Sequence, residues 1–405
     1  MRDFPLDAAQ MPVPVAQPIG FFVHHQGRGH ATRTCRIIEA LPAERPVTVF
    51  CADAGLMSDV AGRARVIEIP SLFERSGREA AGCAELPAPR TVHCAPVGWP
   101  GIRDAMGAMA GWFARANPAL FVVDVSAEVA QLARLCSVPH VKILQHGLRA
   151  DPGHRAAYDG AAGLLAPFHK ALAQPDWPHD MLRKIHFAPG LGCDGPAPDR
   201  AAARRRLGLP ARGRIVLALS GAGGHGLSEA PLSVGARATP DHQWITIGTV
   251  TRDWHATVPG NLHHLGWVPD AADYIAAADL VISSAGNTVC AQVLAARRPW
   301  LVVPEWCYFD EQIEKARALA RIGAAHTRAH LPGSEDGWRS TLEITCQIHD
   351  PARQASLDHP EAAIDTAHWL ENLCARLWGG ATRAPVPTPA TAHSPSPATT
   401  MDADQ

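Results

Sequence analysis

The chain has 405 residues, a formal net charge of −2 at pH 7, 47% hydrophobic residues and 19% charged residues. This length exceeds the usual size of one domain and predicts two domains with sizeable cores, while the near-zero charge argues against general binding of nucleic acid. No apolar run approaches the ~18 residues of a transmembrane helix, so we expect no membrane-spanning segment, and peripheral contact with a membrane stays open.

The ten cysteines are scattered along the chain, and no Cys-x-x-Cys pair occurs. Because no secretory signal is visible, this usage predicts reduced thiols rather than disulfides or a zinc site. We therefore expect a cytoplasmic protein, either free or at the inner face of the membrane.

The first half of the chain alternates predicted strands and helices. Residues 1–17 are rich in Pro, Ala and Gln and predict a flexible N-terminus; strands follow at 19–24, 47–51, 66–69, 120–123 and 141–144, with helices at 31–41, 54–61, 102–116 and 127–135. This alternation predicts a doubly wound parallel sheet. Trp112 and Phe113, on the third helix, are expected to pack on the sheet, with contact to a lipid as the alternative.

The same pattern restarts after a stretch rich in Pro and Gly at 189–198, which predicts a linker. Strands are predicted at 215–219, 244–247, 262–267, 280–282 and 300–303, with helices at 289–296, from Asp310 onward, at 338–348 and at 362–377. The domains are therefore 18–192 and 193–378, followed by a disordered tail at 379–405 because Pro, Thr, Ala and Ser dominate there.

Polar residues gather after two neighbouring strands within 280–312. Ligands bind at the carboxyl ends of strands in open parallel sheets. The helix that follows Gly286 offers free N–H groups and a positive dipole to an anion, most naturally a phosphate. The sequence therefore predicts a phosphate-binding site at the start of this helix.

Two motifs carry a resemblance to a known family. One is the opening loop Gly27-x-Gly29-His30-x-Thr32-Arg33; the other runs through Asp279, Ile282-Ser283, Gly286, Gln292, Pro299, Pro304 and Glu311-Gln312. This pattern resembles glycosyltransferase family 28 of the GT-B fold, which includes the N-acetylglucosaminyl transferase that makes lipid II. The resemblance covers most of 18–378 and is strongest at the opening loop and at 262–323.

The resemblance implies an α/β protein of two Rossmann-like doubly wound domains that face each other across a cleft, with the last helix crossing back to the first domain. It implies transfer of a sugar from a nucleotide sugar, expected to be UDP-linked, to a hydroxyl acceptor with inversion. The acceptor is unknown, and both a lipid-linked molecule and a small metabolite stay open, because residues 70–101 match no known pattern.

The resemblance also implies a catalytic pair. His30 is the candidate general base for the acceptor hydroxyl, since an imidazole is basic and largely unprotonated near pH 7. Asp124, at the end of a strand, would orient it. The alternatives are that His30 caps a helix or contacts phosphate and that Asp124 caps the helix near Ala127; His24 and His25 are weaker candidates.

The donor-binding residues are likewise implied by the resemblance. Their expected roles are backbone approach to the donor (Gly27, Gly29, Ser220, Gly221, Gly223, Gly224), contact with the base (Trp267, Val268), binding of the diphosphate (Ser284, Gly286, Asn287, Thr288), and hydrogen bonds to the ribose (Gln292) and to the sugar (Glu311, Gln312).

Gln292 is a departure from the family pattern, because the family has Glu there. An alternative alignment gives the position to Ala291. Glu311 could equally be a first-turn acid favoured by the helix dipole.

Other functions stay open beside sugar transfer. A nucleotide-sugar hydrolase or epimerase would share the fold, and a non-catalytic sugar-nucleotide-binding protein would fit the altered Gln292. An oxidoreductase is less favoured, because the Gly-x-Gly-x-x-Gly at 221–226 has no acid at the end of the next strand. We expect no cofactor and no metal, since the Asp-x-Asp of Asp402 and Asp404 lies in the tail and no other carboxylate pair suits Mg²⁺.

Overall fold

Two parallel β-sheets form the framework of the protein, whose computed structural model describes residues 16–193, 195–221, 226–252 and 257–379. The first sheet is built from the strands β1 (Ile19–Val23), β2 (Val47–Cys51), β3 (Arg65–Glu68), β4 (Leu120–Val123), β5 (His140–Ile143), β6 (Gly163–Ala166) and β7 (Ile185–Phe187). Their order is β3-β2-β1-β4-β5-β6-β7, and neighbouring strands are parallel. This order reverses between β1 and β4, which makes a topological switch point there.

The second sheet repeats the same order. It contains β8 (Arg214–Leu219), β10 (His242–Ile247), β12 (Leu262–His264), β13 (Leu280–Ser283), β14 (Trp300–Val302) and β15 (His326–Thr327), while β9 (Leu227–Ser228) and β11 (Val250–Thr251) form a separate small pair. The order across the sheet is β12-β10-β8-β13-β14-β15, again all parallel. Its switch point lies between β8 and β13.

Helices cover the sheets. With the first sheet lie α1 (Arg28–Ala40), α2 (Pro100–Ala116), α3 (Ala127–Leu135), α4 (Pro152–Gly160), α5 (His179–Leu182) and 3₁₀ turns at Ala54–Val60, Ala81–Cys83 and Lys170–Leu172. The later helices are α6 (Arg200–Arg206), α7 (Glu229–Ala238), α8 (Ala271–Ala277), α9 (Asn287–Ala296), α10 (Glu311–Arg321), α11 (Glu335–Gln347), α12 (Pro351–Ala355) and α13 (Ala362–Trp378), with a 3₁₀ turn at Tyr308–Asp310. The predicted α/β class with two doubly wound sheets is confirmed.

Several local predictions differ from the structure. The helix predicted from residue 289 begins at Asn287, because Gly286 takes the extended backbone of an N-cap. The helix predicted at 54–61 is a 3₁₀ helix with a kink at Met57. Strand β7 was not predicted, since its Ile-His-Phe sequence is short and only half-buried.

The first sheet has a close-packed aromatic core on one face. Trp112 and Phe113 of α2 are 6% and 4% exposed and contact Phe121 of β4 with ring centroids 6.2 and 4.8 Å away. A methyl group on Gly20 would lie 2.6 to 2.7 Å from the rings of Phe121 and Trp112, so only glycine fits there. These two aromatic residues therefore pack on the sheet, as expected.

The last helix returns to the first sheet. Glu371 on α13 accepts hydrogen bonds from Arg45 Nε and Nη2 at 2.8 and 2.6 Å, and Trp378 Nε1 donates to the carbonyl of Ala119 at 2.8 Å. The ring of Trp369 stacks on His186 with centroids 4.7 Å apart. The end of the described chain is thus part of the first domain's packing.

Among the helices of the described residues, none has both the length and the apolar character needed to cross a membrane.

Candidate functional site

His30 and Asp124 meet at the first switch point, although 94 residues separate them in sequence. Strand β4 ends just before Asp124, and α1 begins two residues before His30. His30 Nδ1 lies 2.6 Å from Asp124 Oδ2; the histidine side chain is 22% exposed and the carboxylate 1% exposed. Ser126, and not Asp124, caps α3 by accepting a hydrogen bond from the N–H of Val129 at 3.2 Å.

Positive charge surrounds the buried carboxylate. Burial opposes the ionisation of Asp124, but His30 and Arg33 outweigh it and hold the pKa of this carboxyl well below its usual range. Arg33 Nη2 donates to Asp124 Oδ1 at 2.9 Å. Asp124 is therefore an anion in the folded protein at any ordinary pH.

Two further titratable groups approach this pair. Burial, with a contribution from His30, lowers the pKa of His24 to about 4. Burial lowers the pKa of Lys142 to about 7, against the attraction of Asp124; this lysine is 1% exposed, and its Nζ donates to the carbonyl of Ile143 at 3.2 Å. Burial therefore disfavours the positive charge of both His24 and Lys142 near the base candidate.

The N-terminus of α9 faces the opening loop of the first domain. No side chain among the described residues caps α9, so its first N–H groups stay available to an anion. A methyl group on Gly29 would overlap Thr288 Oγ1. The opening loop and the start of α9, which were both predicted to approach the phosphates, therefore meet across the cleft. Glycine at position 29 leaves the space that this contact needs.

Lys315 places a buried cation beside this helix start. The side chain is 1% exposed; its Nζ donates to Asn287 Oδ1 and lies 3.9 Å from Glu311 Oε1. Glu311 Oε2 in turn lies 3.0 Å from Arg149 Nη2 of the first domain. The acid predicted for sugar binding is thus also a bridge between the domains.

Gln312 ties two strand ends together. Its Oε1 accepts hydrogen bonds from the N–H groups of Ala285 and Glu305, both at 3.0 Å. These residues follow β13 and β14, so the amide fixes the spacing of the two loops that flank the start of α9. The predicted sugar contact would have to use the remaining amide nitrogen of Gln312.

Gln292 and Ala291 occupy different faces of α9. Ala291 is 5% exposed and, with Asn287 and Leu294, lines a small cavity against Phe168 of the first domain. Gln292 is half-buried and lies one helical turn after Thr288, the residue that meets Gly29. The face of Gln292 is therefore the one that continues from the opening loop.

Trp267 and Val268, which were predicted to contact the base, follow β12, and Ser220, which was predicted to approach the diphosphate, follows β8. Ser220 is 5% exposed, and a methyl group on Gly248 would lie 2.6 Å from its carbonyl oxygen. The N–H of Gly248 donates to the carbonyl of Gly266 at 2.8 Å, next to Trp267, which is 60% exposed. Val268 is partly buried against the core.

Of the residues predicted to bind the diphosphate, Ser284 is buried and Gly286 is half-buried. Gly221 is described, whereas Gly223 and Gly224 lie outside the described residues.

A cavity of about 400 Å³ opens near the pair of His30 and Asp124. It is lined by Ala52, Ile69, Pro70 and Ser71 and by three ionisable side chains, His25, Glu68 and Glu74. His25 Nε2 lies 3.0 Å from Glu74 Oε1. The ring of His24 lies between this cavity and the base candidate, 5.4 Å from the ring of His25 and 5.4 Å from that of His30.

A second cluster packs around Phe309. Ligand atoms of His93, Asp151 and His154 lie within 4.8 Å of one another. However, His154 Nδ1 is bonded to Asp151 Oδ2 at 2.6 Å, and its Nε2 lies 3.3 Å from Arg149 Nη1. Both ring nitrogens of His154 therefore have a side-chain partner, a carboxylate at Nδ1 and a guanidinium at Nε2, and we assign no metal to this cluster.

Sequence reasoning gave no role to Arg33, Lys142, Arg149 and Lys315. Arg33 stands inside the opening motif, so a one-turn spacing from His30 was the available signal. Arg149 contacts Glu311 from 162 positions away and lies 4.5 Å from the Phe309 ring, and no local pattern encodes such a contact.

Comparison with known proteins gives matches that agree with this architecture. Residues 250–329 match the family model described as "Glycosyltransferase family 28 C-terminal domain". A UDP-N-acetylglucosamine–N-acetylmuramyl-(pentapeptide) pyrophosphoryl-undecaprenol N-acetylglucosamine transferase of Solidesulfovibrio magneticus is 38% identical over 119 residues, which are 27% of this chain and 31% of that protein. The chain covers between 31% and 50% of the length of the curated relatives it matches.

Solved structures match over much more of the chain. The spinosyn forosaminyltransferase SpnP has a TM-score of 0.61 at 17% identity, covering 89% of this chain and 100% of that one. MurG of Acinetobacter baumannii has a TM-score of 0.55 at 13% identity, covering 88% and 99%. The resemblance found in the sequence is confirmed: the chain has the GT-B fold, and its residues 250–329 are similar to the C-terminal domain of glycosyltransferase family 28.

Proposed function

We propose that the protein transfers a sugar from a nucleotide sugar, with UDP as the nucleotide, to a hydroxyl group of an acceptor. One observation carries the proposal. The His30–Asp124 pair lies at the switch point of the first sheet, next to the Gly29–Thr288 contact with the uncapped N-terminus of α9. A general base and an anion-binding helix end thus share one cleft, which is the arrangement that displacement of a nucleoside diphosphate needs.

In the proposed reaction, His30 donates its Nδ1–H to Asp124, so the lone pair of the ring lies on Nε2. Nε2 takes the proton of the acceptor hydroxyl as its oxygen attacks the anomeric carbon. The bond from that carbon to the diphosphate breaks, and the diphosphate leaves with the electron pair. Asp124 stabilises the imidazolium that forms, and one displacement inverts the anomeric centre.

The donor contacts remain part of the proposal. The N–H groups at the start of α9, with Ser284, Gly286, Asn287 and Thr288, would bind the diphosphate, and Lys315 adds positive charge beside Asn287. Gln292 would bond the ribose diol, Ser220 to Gly224 would approach the diphosphate, and Trp267 and Val268 would contact the base. Glu311 and Gln312 would contact the sugar through the lone pairs and N–H groups that their protein partners leave available.

We propose that the acceptor enters beside the cavity at His25. The curated relatives are named for an acceptor with a pyrophosphoryl-undecaprenol group. Glu68 and Glu74 would repel such a pyrophosphate from this cavity, so a lipid-linked acceptor would keep that group outside it. A neutral, hydroxyl-rich part of an acceptor fits the lining better.

The test is a transfer assay with purified protein and a panel of UDP-, TDP- and GDP-sugars, run with and without acceptor hydroxyl compounds. We expect His30→Ala to abolish transfer while donor affinity stays within a few-fold, and Asp124→Asn to lower turnover at least tenfold, because positioned proton transfer contributes roughly 10²–10⁴. A chelator should leave the rate unchanged, since we propose neither metal nor cofactor.

Other results would contradict the proposal. Full activity of a folded His30→Ala variant would remove the general-base role. Release of free sugar in the absence of acceptor would favour a hydrolase, and donor binding without turnover would favour a sugar-nucleotide-binding protein.

A further inference from the structure

Arg33 contacts both members of the catalytic pair. It lies one turn after His30 on α1 and is 3% exposed. Its Nη2 lies 2.9 Å from Asp124 Oδ1 and 3.2 Å from His30 Nδ1. The guanidinium therefore touches the carboxylate oxygen that His30 leaves unused and the edge of the imidazole ring at the same time.

The distances decide which hydrogen bond His30 makes. Its Nδ1 can donate to Asp124 or accept from Arg33, but a single nitrogen cannot do both. The contact with Asp124 is 2.6 Å, against 3.2 Å to Arg33, so Nδ1–H donates to the carboxylate. Arg33 then faces this N–H as a permanent cation, and a second proton on the ring would bring two positive charges into contact.

The other charges around the ring come from three elements. Asp124 follows β4 and Lys142 lies on β5, while His24 and His25 follow β1. His24 is neutral at pH 7 because burial lowers its pKa to about 4, and burial also lowers the pKa of Lys142, to about 7. Arg33 is thus the fully ionised cation next to His30, whereas Asp124 is the anion.

Burying the guanidinium of Arg33 costs free energy that an apolar side chain at this position would not cost. The Nε of Arg33 is buried and has no hydrogen-bond partner among the described residues. An unsatisfied buried donor is unfavourable, more so on a charged group. An apolar side chain would fill the same space without that cost, so the charge itself calls for an explanation.

We infer that Arg33 is a positioning residue that holds Asp124 against His30 and offsets its negative charge, so that the carboxylate attracts a second proton to the ring less strongly. Without this cation, the carboxylate alone would favour the imidazolium, and the base would already carry the proton it has to accept. The inference rests on the proposed role of His30 as general base.

The first test measures the protonation of the ring itself by NMR titration of its Cε1–H signal. We expect Arg33→Met to move the midpoint of the His30 titration to higher pH by about one unit or more, the size of shift that a neighbouring charge produces. Arg33→Lys, which keeps the charge, should move it much less. Arg36→Met, which removes a solvent-exposed cation from the same helix, should leave it unchanged.

The second test follows kcat/KM against pH. The acid limb of the Arg33→Met profile should move upward with the NMR midpoint, and the plateau should fall because Asp124 loses a partner. NMR reads the ring whether or not sugar is transferred, so an inactive protein would leave this inference testable and contradict only the proposed function.

Two outcomes would overturn the inference. One is an unchanged His30 midpoint in folded Arg33→Met, with a lower melting temperature as the main effect. The other is an equal upward shift in Arg33→Met and Arg33→Lys. If Arg33→Met does not fold, Arg33→Gln, which keeps a donor for Asp124 without the charge, gives the same reading.

Discussion

A buried carboxylate that contacts both His30 and the guanidinium of Arg33 decides how the His30 ring is oriented. Asp124 is 1% exposed and bonded to His30 at 2.6 Å and to Arg33 at 2.9 Å. Ions this deeply buried add little net stability. They do hold the His30 ring in one tautomer and one orientation before any substrate binds. Electrostatic interactions that are preorganised in this way increase the rate of a reaction.

The proposed contact of Gln292 with the ribose gives a second prediction about a single residue. A Gln has one acceptor oxygen and must use its NH₂ for the second ribose hydroxyl. We expect Gln292→Ala to raise the donor KM by roughly five- to a hundredfold, from about 1–3 kcal/mol for unmet polar groups. Calorimetric titration with the donor measures this effect.

Gln292→Glu is the matched control. It keeps the acceptor and adds a charge, so donor binding should hold or tighten. Unchanged donor affinity in Gln292→Ala would remove this residue from the donor site. Ala291→Leu is a poor comparison, because Ala291 packs against the first domain and a larger side chain would disturb that contact.

The first domain depends on the last helix, α13, which crosses back to it as the family resemblance implies. Leu370 and Leu373 of α13 are 0% and 2% exposed and belong to the same core as Ile37 and Ile38 of α1. Parts of the chain more than 300 residues apart thus share one core. A change in α13 should destabilise the first domain although it lies near the end of the chain.

Leu370→Ala tests this dependence. A fully buried Leu→Ala change costs about 2–5 kcal/mol of unfolding free energy, and denaturant unfolding measures it. Leu377→Ala on the same helix is the control, since Leu377 is 42% exposed and should change stability by less than about 1 kcal/mol. Equal effects of the two substitutions would contradict the core assignment.

Parallel strands were the most predictable elements. β1, β4 and β13 are continuous apolar runs that end at a polar residue, and such runs mark buried strands. The pairing of His30 with Asp124 was implied by the family resemblance, and it agrees with the position of both residues after strands that end at one edge of the sheet. The loop Tyr308–Asp310 was not predictable, because Phe309 and Asp310 adopt left-handed φ values of 62° and 54° that no local pattern of bulky residues favours.

Contacts between the domains were equally hidden from the sequence. Arg149 had no predicted role and Glu311 was predicted to bind the sugar, and no sequence pattern indicates that the fold brings these two side chains within 3.0 Å of each other. The residues given donor roles stay predictions, and Gly223 and Gly224 lie outside the described part of the chain. Local sequence patterns predict the individual strands and helices. They do not predict which side chains, distant in sequence, the two sheets bring into contact.

At the scale of the whole molecule, buried histidines predict acid sensitivity. Burial lowers the pKa of His140 to about 4 and that of His146 to about 3, below the value of about 6.5 in an unfolded chain. The unfolded state therefore binds more protons as the pH falls below about 6.5, and stability is lost from there down to the folded pKa values. Each histidine should cost about 2 kcal/mol at pH 5 relative to pH 7.

Urea unfolding between pH 7 and pH 5 checks this prediction. The variants His140→Gln and His146→Gln keep a donor for the carbonyls of Ala157 and Leu172, which the ring nitrogens now contact at 3.2 and 2.8 Å, but cannot take up a proton. Both should show a flatter pH dependence than the parent protein. A slope that neither substitution changes would assign the acid sensitivity to other groups.

Because α13 packs in the core of the first domain, that core cannot be completed until α13 has been synthesised. The last strand of the first sheet ends at Phe187, yet the helix that completes its core ends at Trp378, so the ribosome has 378 − 187 = 191 further residues to add. At roughly 5–20 residues per second, this delay is about 10–40 s. During that interval the nascent first domain has an uncovered apolar face, and its exposure to aggregation is greatest before the second domain is finished.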